Sequence, residues 1–520
     1  MLPVTGGLGG IRRTLRTLAR QTDPGWTLTI AVRQRSARRC RLLVWSLGRR
    51  LARRTHVVTG RAQVSPRDLL QLGVSADGSS TIALVFPGDL WAPDAVALLA
   101  EQLLQHDVVY ADEDRIDADR LHSDPRLKPG YSPDLLLTTG YVGRPLAFRT
   151  QVLHGFDPLA HDPQALEHEC ALYACAAASS VGHLPEVLCH RTGPTPTGDD
   201  ESDHLVAALR RRSDPSDVRS GRSTGTFHIE RRPPAGVRVT VIIPFRDQPQ
   251  FLRTCIDSVR ATAGEADLDF LLVDNGSSDL ETLTLVERLS KTEGVGVLHD
   301  ARPFNWARLN NIAAREAGGE VLLFLNNDIQ ALRTGWLDAL AAHALRTDVG
   351  AAGARLLYPN RRVQHCGLVI GLNGAAGHPL AGLGSDAPGY LHMATATREC
   401  AAVTGACLAT RREVFEELQG FDESLGVDLN DVDYCLRAAQ KGYRTIYEPD
   451  AELVHHESPS RGTAGGVGDI VRFVERWKDY IETGDTYLSP HLTRRDPSCA
   501  LATPEEQEAW NQWYATVTLG

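Results

Sequence analysis

From Val237 onward the chain alternates short apolar runs with amphipathic segments, and the apolar runs end in polar clusters; nothing else in the sequence restricts the fold as much. Residues 238–244 form a β-branched run closed by Pro244, the pattern of a buried parallel strand. Phe251, Leu252, Cys255, Ile256 and Val259 then recur at helical spacing within 247–263. A second strand runs from Leu268 to Asp274 and into the turn Asn275-Gly276-Ser277-Ser278. A helix through 280–290, a third strand over 294–298, a helix from Asn310 to Gly318 and a fourth strand over 320–325 follow, the last ending in Asn326, Asn327 and Asp328. Strands alternating with helices predict an α/β domain with a mostly parallel sheet. Ligands of such sheets sit beyond the carboxyl ends of the strands, where both polar clusters fall.

The 520 residues suffice for two or three domains. A Pro/Arg/Ser-rich stretch, 210–236, reads as a linker between a first domain over 1–209 and a second over 237–465, with a helical tail over 466–520. The first half reads as a worn copy of the second. Residues 83–89 and 323–328 are both apolar runs ending in a polar turn. Gly155-Phe156-Asp157 precedes Glu167-His168-Glu169 much as Gly420-Phe421-Asp422 precedes Asp431-Val432-Asp433. His190 and His455 then follow at nearly equal distances, 23 residues past Glu167 and 24 past Asp431. Several landmarks in one order indicate an internal duplication.

With 42% hydrophobic and 23% charged residues, the chain is neither disordered nor a pure coiled coil. Its ten cysteines include no C-x-x-C, which predicts reduced thiols in a cytosolic protein. No apolar run approaches the ~18–20 residues of a membrane span, and the first residues lack the apolar core of a signal peptide. The net charge of −10 hides a basic arm: residues 1–62 hold 14 Arg with Asp23 as their one acid. Such an arm suits nucleic acid, anionic lipid or a phosphorylated carrier, although 51 Arg against four Lys makes arginine partly a habit of composition. No zinc-finger spacing or aromatic RNA-binding motif accompanies it, so nucleic acid is not expected. Trp26 and Trp45, at the margins of the basic run, are expected in the core.

Four features of the second copy point to chemistry. Asp274 closes a strand beside an open turn, where a carboxylate can take ribose hydroxyls or a base N–H. Asp328 is a hard oxygen ligand suited to Mg²⁺ or Mn²⁺. Asp431 and Asp433 lie at i and i+2 at a helix start, where the dipole favours the ionised form. His455 ends a strand and could complete a metal shell. Singly, each has an ordinary reading as turn, cap or packed histidine.

Several motifs together carry a resemblance: Val241–Phe245, Val273–Asp279, Phe324–Asp328, Val403–Cys407, Gly420–Glu423, Asn430–Arg437 and His455–Ser458 resemble family 2 glycosyltransferases of the bacterial O-antigen and rhamnan type. The resemblance implies a GT-A fold in both halves, the N-terminal one truncated and degenerate. It implies an inverting transfer from a nucleotide-diphosphate sugar to a saccharide or lipid-linked acceptor, at the cytoplasmic face of the membrane, with peripheral contact through the arm 12–62. Asp431 would be the base, and Asp328 and His455 the ligands of a divalent metal, with His456 the less favoured alternative. Asn326 stands where the family has an aspartate, which implies weaker metal binding. Asp274 would hold the nucleoside, and Pro244, Asn311, Asn327 and Gly405 would lie against the donor, Gly405 letting backbone approach the sugar, while Asp433 would orient the helix start or a donor hydroxyl. In the first copy Val32 stands in place of Asp274, Phe86–Gly88 replace the metal motif and leave Asp89 one place late, and the first strand is missing. That half is therefore expected to be non-catalytic. The competing readings are a glycan or nucleotide-sugar binding protein without turnover, and an anionic-surface binder acting through the arm.

Overall fold

The computed structural model describes residues 2–3, 8–60, 80–117, 119–159, 163–192, 202–264, 266–457, 467–506 and 508. The chain forms two compact units, Met1–Phe227 and His228–Gly520.

The N-terminal unit holds two sheets. The first is parallel: β1 (Leu2–Pro3), β2 (Leu28–Arg33) and β3 (Thr55–Gly60), with helices Leu8–Leu18, Gln34–Ser46 and Arg49–Arg54 between them. The strand expected to be missing is therefore present, with Leu2 and Pro3 paired to Ile30 and Ala31; two residues are too few to show a period of 2. The second sheet has β4 (Thr81–Ala83), β5 (Leu90–Trp91), β6 (Val108–Ile116), β7 (His122–Arg126), β8 (Leu146–Arg149) and β9 (Val181–Arg191), in the order β4-β8-β6-β9-β5 with β7 on β6. Ile11, Leu15, Ile30, Cys40, Trp91 and Val109 belong to one core shared by both sheets.

In the basic arm, helix Gln34–Ser46 buries Ala37, Cys40 and Val44 and turns Arg35, Arg38, Arg39 and Arg41 outward. Leu42 and Trp45 point outward with them, 58% and 67% exposed. The expectation that Trp45 lies in the core is thus wrong: it follows Val44 and sits about 100° around the helix from the buried stripe. Trp26 does pack against the core. Arg61, the last arginine of the arm, lies outside the described residues.

The stretch read as a linker contains the end of helix Asp203–Arg211 and two short strands, β10 (Asp217–Ser220) and β11 (Phe227–Glu230). The C-terminal unit then follows the expected alternation closely: β12 (Arg238–Phe245), helix Pro249–Thr262, β13 (Asp267–Asp274), helix Leu280–Leu289, β14 (Val295–His299), helix Trp306–Glu316 and β15 (Val321–Leu325). After it come β16 (Ile329–Ala331), β17 (Val349–Leu357), β18 (Val363–His365), the small hairpin β19 (Val369–Ile370) and β20 (Ala376–Gly377), β21 (Arg398–Glu399), β22 (Cys407–Arg411) and β23 (Arg444–His455).

The main sheet runs β14-β13-β12-β15-β22-β17-β23-β16. Its first four strands are parallel, but β22 is antiparallel to both β15 and β17, and β16 to β23. The α/β class is as expected, whereas the sheet is mixed and not mostly parallel. The cause lies in the connection: β22 follows the Gly-rich stretch 360–400 and not a crossover helix returning the chain to its starting end. The tail supplies helices Val467–Arg476 and Lys478–Thr483; the residues after 508 lie outside the described set.

Candidate active site

The carboxyl ends of β13, β12 and β15 lie side by side. Asp274 pairs in register with Phe245, and β12 separates β13 from β15. Two interstrand spacings thus set Asp274 and the Asn326–Asp328 turn roughly 10 Å apart. Pro244 sits past Ile242, the last β12 residue paired with β15, so its missing N–H breaks no ladder bond on that side. Asp274 is buried; its Oδ1 accepts the Ser277 N–H (2.8 Å) and its Oδ2 lies 3.3 Å from His299 Nδ1. His299 is an exposed neighbour that the sequence reasoning missed. Behind them Asn275 donates to the carbonyls of Asp300 and Arg302. Hydrogen bonds from Arg302 and Arg308 hold the Asp300 carboxyl well below its ordinary range, which fixes this loop as a charged wall beside Asp274.

At the end of β15, Asp328 Oδ1 and His455 Nε2 are 3.2 Å apart. They come together because Ile329 faces His455 in the antiparallel pair β16/β23. Gln364 fixes the imidazole from behind. Its amide nitrogen donates to Glu457 (2.9 Å), so its Oε1 faces His455 Nδ1 at 2.7 Å and that nitrogen carries the proton. The Nε2 lone pair is left aimed at the Asp328 carboxylate, with the Asn326 amide 3.4 Å away. An imidazole nitrogen and a carboxylate oxygen, with the ring oriented by a second hydrogen bond, are a donor set that fits a divalent cation. The His456 ring turns to the other side of the strand, 3.2 Å from Gln330 Oε1 and against Phe251, while its backbone N–H donates to the Asp328 carbonyl at 3.0 Å. Asn327 is half-buried in the turn between Asn326 and Asp328.

Asp431 lies in the first turn of helix Asn430–Gln440 but does not cap it. Its Oδ2 accepts the Gly405 N–H (2.7 Å) from another loop and its Oδ1 accepts the Val432 N–H (2.8 Å). The chain enters this helix through Leu429 at φ +63°, a costly conformation for a branched side chain, held by its surroundings. Gly405 is required by a close approach, though not the expected one: a Cβ there would lie 2.6 Å from the Trp306 ring. The space expected to admit the donor is filled by Trp306, whose indole N–H reaches Asn326 Oδ1 at 3.3 Å. One unbroken line of contacts therefore runs Asp431, Gly405, Trp306, Asn326, His455, Asp328. Trp306 and Gln364 were invisible to motif reasoning; they match no polar pattern and act through contacts distant in sequence.

Two of the residues expected at the donor, Asp433 and Asn311, are bonded to other parts of the chain. Asp433 is fully buried: Oδ2 accepts Arg437 Nε (2.7 Å), while Oδ1 accepts Arg476 (2.8 Å) and the Trp477 indole (3.0 Å). Two residues along a helix is about 200° of turn, so Asp433 faces away from Asp431 and anchors the tail. Asn311 clamps the following loop, donating to the Phe421 carbonyl and Glu423 and accepting the Phe421 N–H at 2.9 Å.

In the N-terminal unit Leu90 faces His190 as Ile329 faces His455. By that register Asp89 occupies the position of Asp328, and the extra residue that made it look late is absorbed in the turn 86–88. Here, however, Arg144 binds Asp89 (3.1 and 3.2 Å) and Glu167 (2.7 Å), with its guanidinium 3.5 Å above the Phe86 ring. Arg191 bridges Glu167 and Glu113. Burial pushes Asp89 up to about 6; at Glu167 burial acts the same way, but the two guanidiniums outweigh it and hold that carboxyl low.

Residues 240–419 match the Glycosyl transferase family 2 model and residues 384–488 the Glycosyl transferase family group 2 model. The chain is 35% identical over 485 residues to "O-antigen biosynthesis protein RfbC" of Myxococcus xanthus, covering 88% of this chain and 37% of that one. It is 30% identical over 459 residues to "Uncharacterized protein y4gI" of Sinorhizobium fredii, covering 81% and 49%. It thus spans less than half the length of either relative. Among solved structures, GalNAc-T7 with UDP, GalNAc and Mn²⁺ matches with a TM-score of 0.40 at 17% identity, over 56% of each chain.

Proposed function

The chain carries a glycosyl transferase family 2 domain, and from that premise we propose that it moves a sugar from a nucleotide-diphosphate donor to a hydroxyl of a saccharide or lipid-linked saccharide, with inversion, in cell-surface polysaccharide assembly. The observation that carries this reading is the line of contacts joining a half-buried, backbone-held Asp431 to the Asp328–His455 pair. In the proposed step Asp431 takes the acceptor proton while the acceptor oxygen bonds to the anomeric carbon and the bond to the diphosphate breaks. The Gly405 and Val432 N–H groups each bind one oxygen and so fix the carboxylate. Asp274 takes the nucleoside end of the donor, with Pro244 and Asn327 lining the strand ends between it and Asp328. A Mg²⁺ or Mn²⁺ ion held by Asp328 and His455 would supply the positive charge that offsets the leaving diphosphate.

The test is a panel of nucleotide sugars with divalent metal, reading product and anomeric configuration by NMR. Asp431→Asn is expected to lower kcat by about 10²–10⁴-fold while donor still binds; near-normal turnover or a retained configuration overturns the assignment.

The N-terminal unit is proposed to be non-catalytic, because Arg144 fills the position beside Asp89 that a cation would need. Its outward Arg35, Arg38, Arg39 and Arg41, with Leu42 and Trp45 on the same helix, support attachment to an anionic lipid surface. Flotation with phosphatidylglycerol vesicles, lost at high salt and in a Leu42→Asp/Trp45→Asp double variant, is the expected result; equal flotation of the variant rejects it.

A further inference from the structure

Three adjacent strands of the N-terminal unit bring two histidines and a carboxylate to one point. Asp114 lies opposite His190 in the parallel pair β6/β9, and His122 lies opposite Ile116 in the antiparallel pair β6/β7. His122 Nδ1 is 2.7 Å from Asp114 Oδ2, His190 Nδ1 is 2.6 Å from Asp114 Oδ1, and the two rings meet edge to face with centroids 4.8 Å apart. All three ligand atoms lie within 4.8 Å of one another. We propose that Asp114, His122 and His190 bind a divalent transition-metal ion of the zinc class, which clips the β6–β7 hairpin to β9.

The donor set selects the metal. Two imidazole nitrogens and one carboxylate oxygen suit Zn²⁺ and its first-row neighbours, whereas Mg²⁺ and Ca²⁺ prefer oxygen alone. Three protein ligands leave a fourth position open, and it faces solvent, since the His122 side chain is 54% exposed against 22% for His190 and 11% for Asp114. Three neighbouring cations are engaged elsewhere: Arg126 and Arg191 pair with Glu113, Arg191 also with Glu167, and the Lys128 ammonium donates to the carbonyls of Ala111, Val142 and Arg144.

This is not the counterpart of the Asp328–His455 pair. His190 has the register of His455, but its expected partner Asp89 is taken by Arg144, and the imidazole turns instead to Asp114, a strand away. The site shares no residue with the line of contacts from Asp431 to Asp328.

The test uses the 520-residue chain without a tag, stripped with chelator and titrated with Zn²⁺ by calorimetry, with Mg²⁺ present to occupy oxygen sites. Asp328→Ala is expected to retain the tight equivalent, while His122→Ala and His190→Gln each lose it. Co²⁺ is expected to give a visible d–d spectrum that disappears in the same two variants. His122 is exposed, so His122→Ala keeps the fold and decides the question even if His190→Gln does not fold. An unchanged Zn²⁺ stoichiometry in His122→Ala, or loss of the equivalent in Asp328→Ala, overturns the proposal.

Discussion

Gln364 reaches across 91 residues of sequence to hold His455, its Oε1 2.7 Å from Nδ1, and so decides which imidazole nitrogen faces Asp328. Partners of this kind typically govern ligand affinity by 10–100-fold. Gln364→Leu is therefore expected to weaken Mn²⁺ binding by about that factor with Asp328 and His455 intact. Mn²⁺ titration followed by EPR checks it; an unchanged affinity means that Gln364 does no more than pack.

Gly405→Ala forces a methyl group toward the Trp306 ring and the Cβ of Asp431, which lies 3.4 Å from the same position. Overpacking of this size costs about 1–3 kcal/mol. Since the residue also orients Asp431, kcat should fall more than KM changes, as steady-state kinetics with thermal unfolding would report.

Asp431 and Asp433 should separate function from stability. Asp433→Asn strips the charge from a buried carboxylate that accepts from Arg437, the Trp477 indole and the exposed Arg476, an effect of about 1–3 kcal/mol on unfolding. Asp431→Asn, at a half-buried carboxylate, should leave the urea midpoint near wild type while lowering kcat by about 10²–10⁴-fold. Equal destabilisation by both would contradict the assignment of Asp433 as the anchor.

The N-terminal unit should be acid-sensitive through His168. Its Nε2 lies 2.7 Å from the Leu136 carbonyl and so carries the proton, which leaves Nδ1 to accept from His204 Nε2 at 3.0 Å. Burial, and then His204, push its pKa from 6.5 down to about 4. Between those values the unfolded chain binds more protons than the folded one, so stability is present above pH 6.5 and is lost as pH falls, on the order of 3 kcal/mol by pH 4. Calorimetry of wild type and His168→Gln should show a shallower acid slope in the variant.

The strands that carry the site were legible because their signals are local. β12, β13 and β15 are short apolar runs that stop at proline or aspartate, and their polar ends had to lie together once the strands were parallel. Helix Trp306–Glu316 begins four residues earlier than its apolar spacing suggested, because Asn305 caps it by accepting the Arg308 N–H. What stayed hidden depended on tertiary contacts. Asp433 and Asn311 carry the same residue types as site groups, but the first is bonded to Arg437, Arg476 and Trp477 and the second to Phe421 and Glu423, and no linear pattern marks Trp306 as the reason for Gly405. Trp45 was misplaced because hydrophobicity argues for burial, while its position one residue past the buried stripe argues against it. The turn at 86–88 hid the equivalence of Asp89 and Asp328, which strand register alone reveals.

The Arg144–Asp89 contact has a consequence for how the two halves respond to their surroundings. A guanidinium cannot be dialysed away, chelated or exchanged, so the acidic recess around Asp89 keeps its countercharge whatever the buffer contains. At the matching turn in the other half, the His455 imidazole faces Asp328 at 3.2 Å where the first half has a guanidinium. One chain thus holds two versions of the same strand-end turn, one closed by an arginine and one faced by a histidine that can act as a metal ligand.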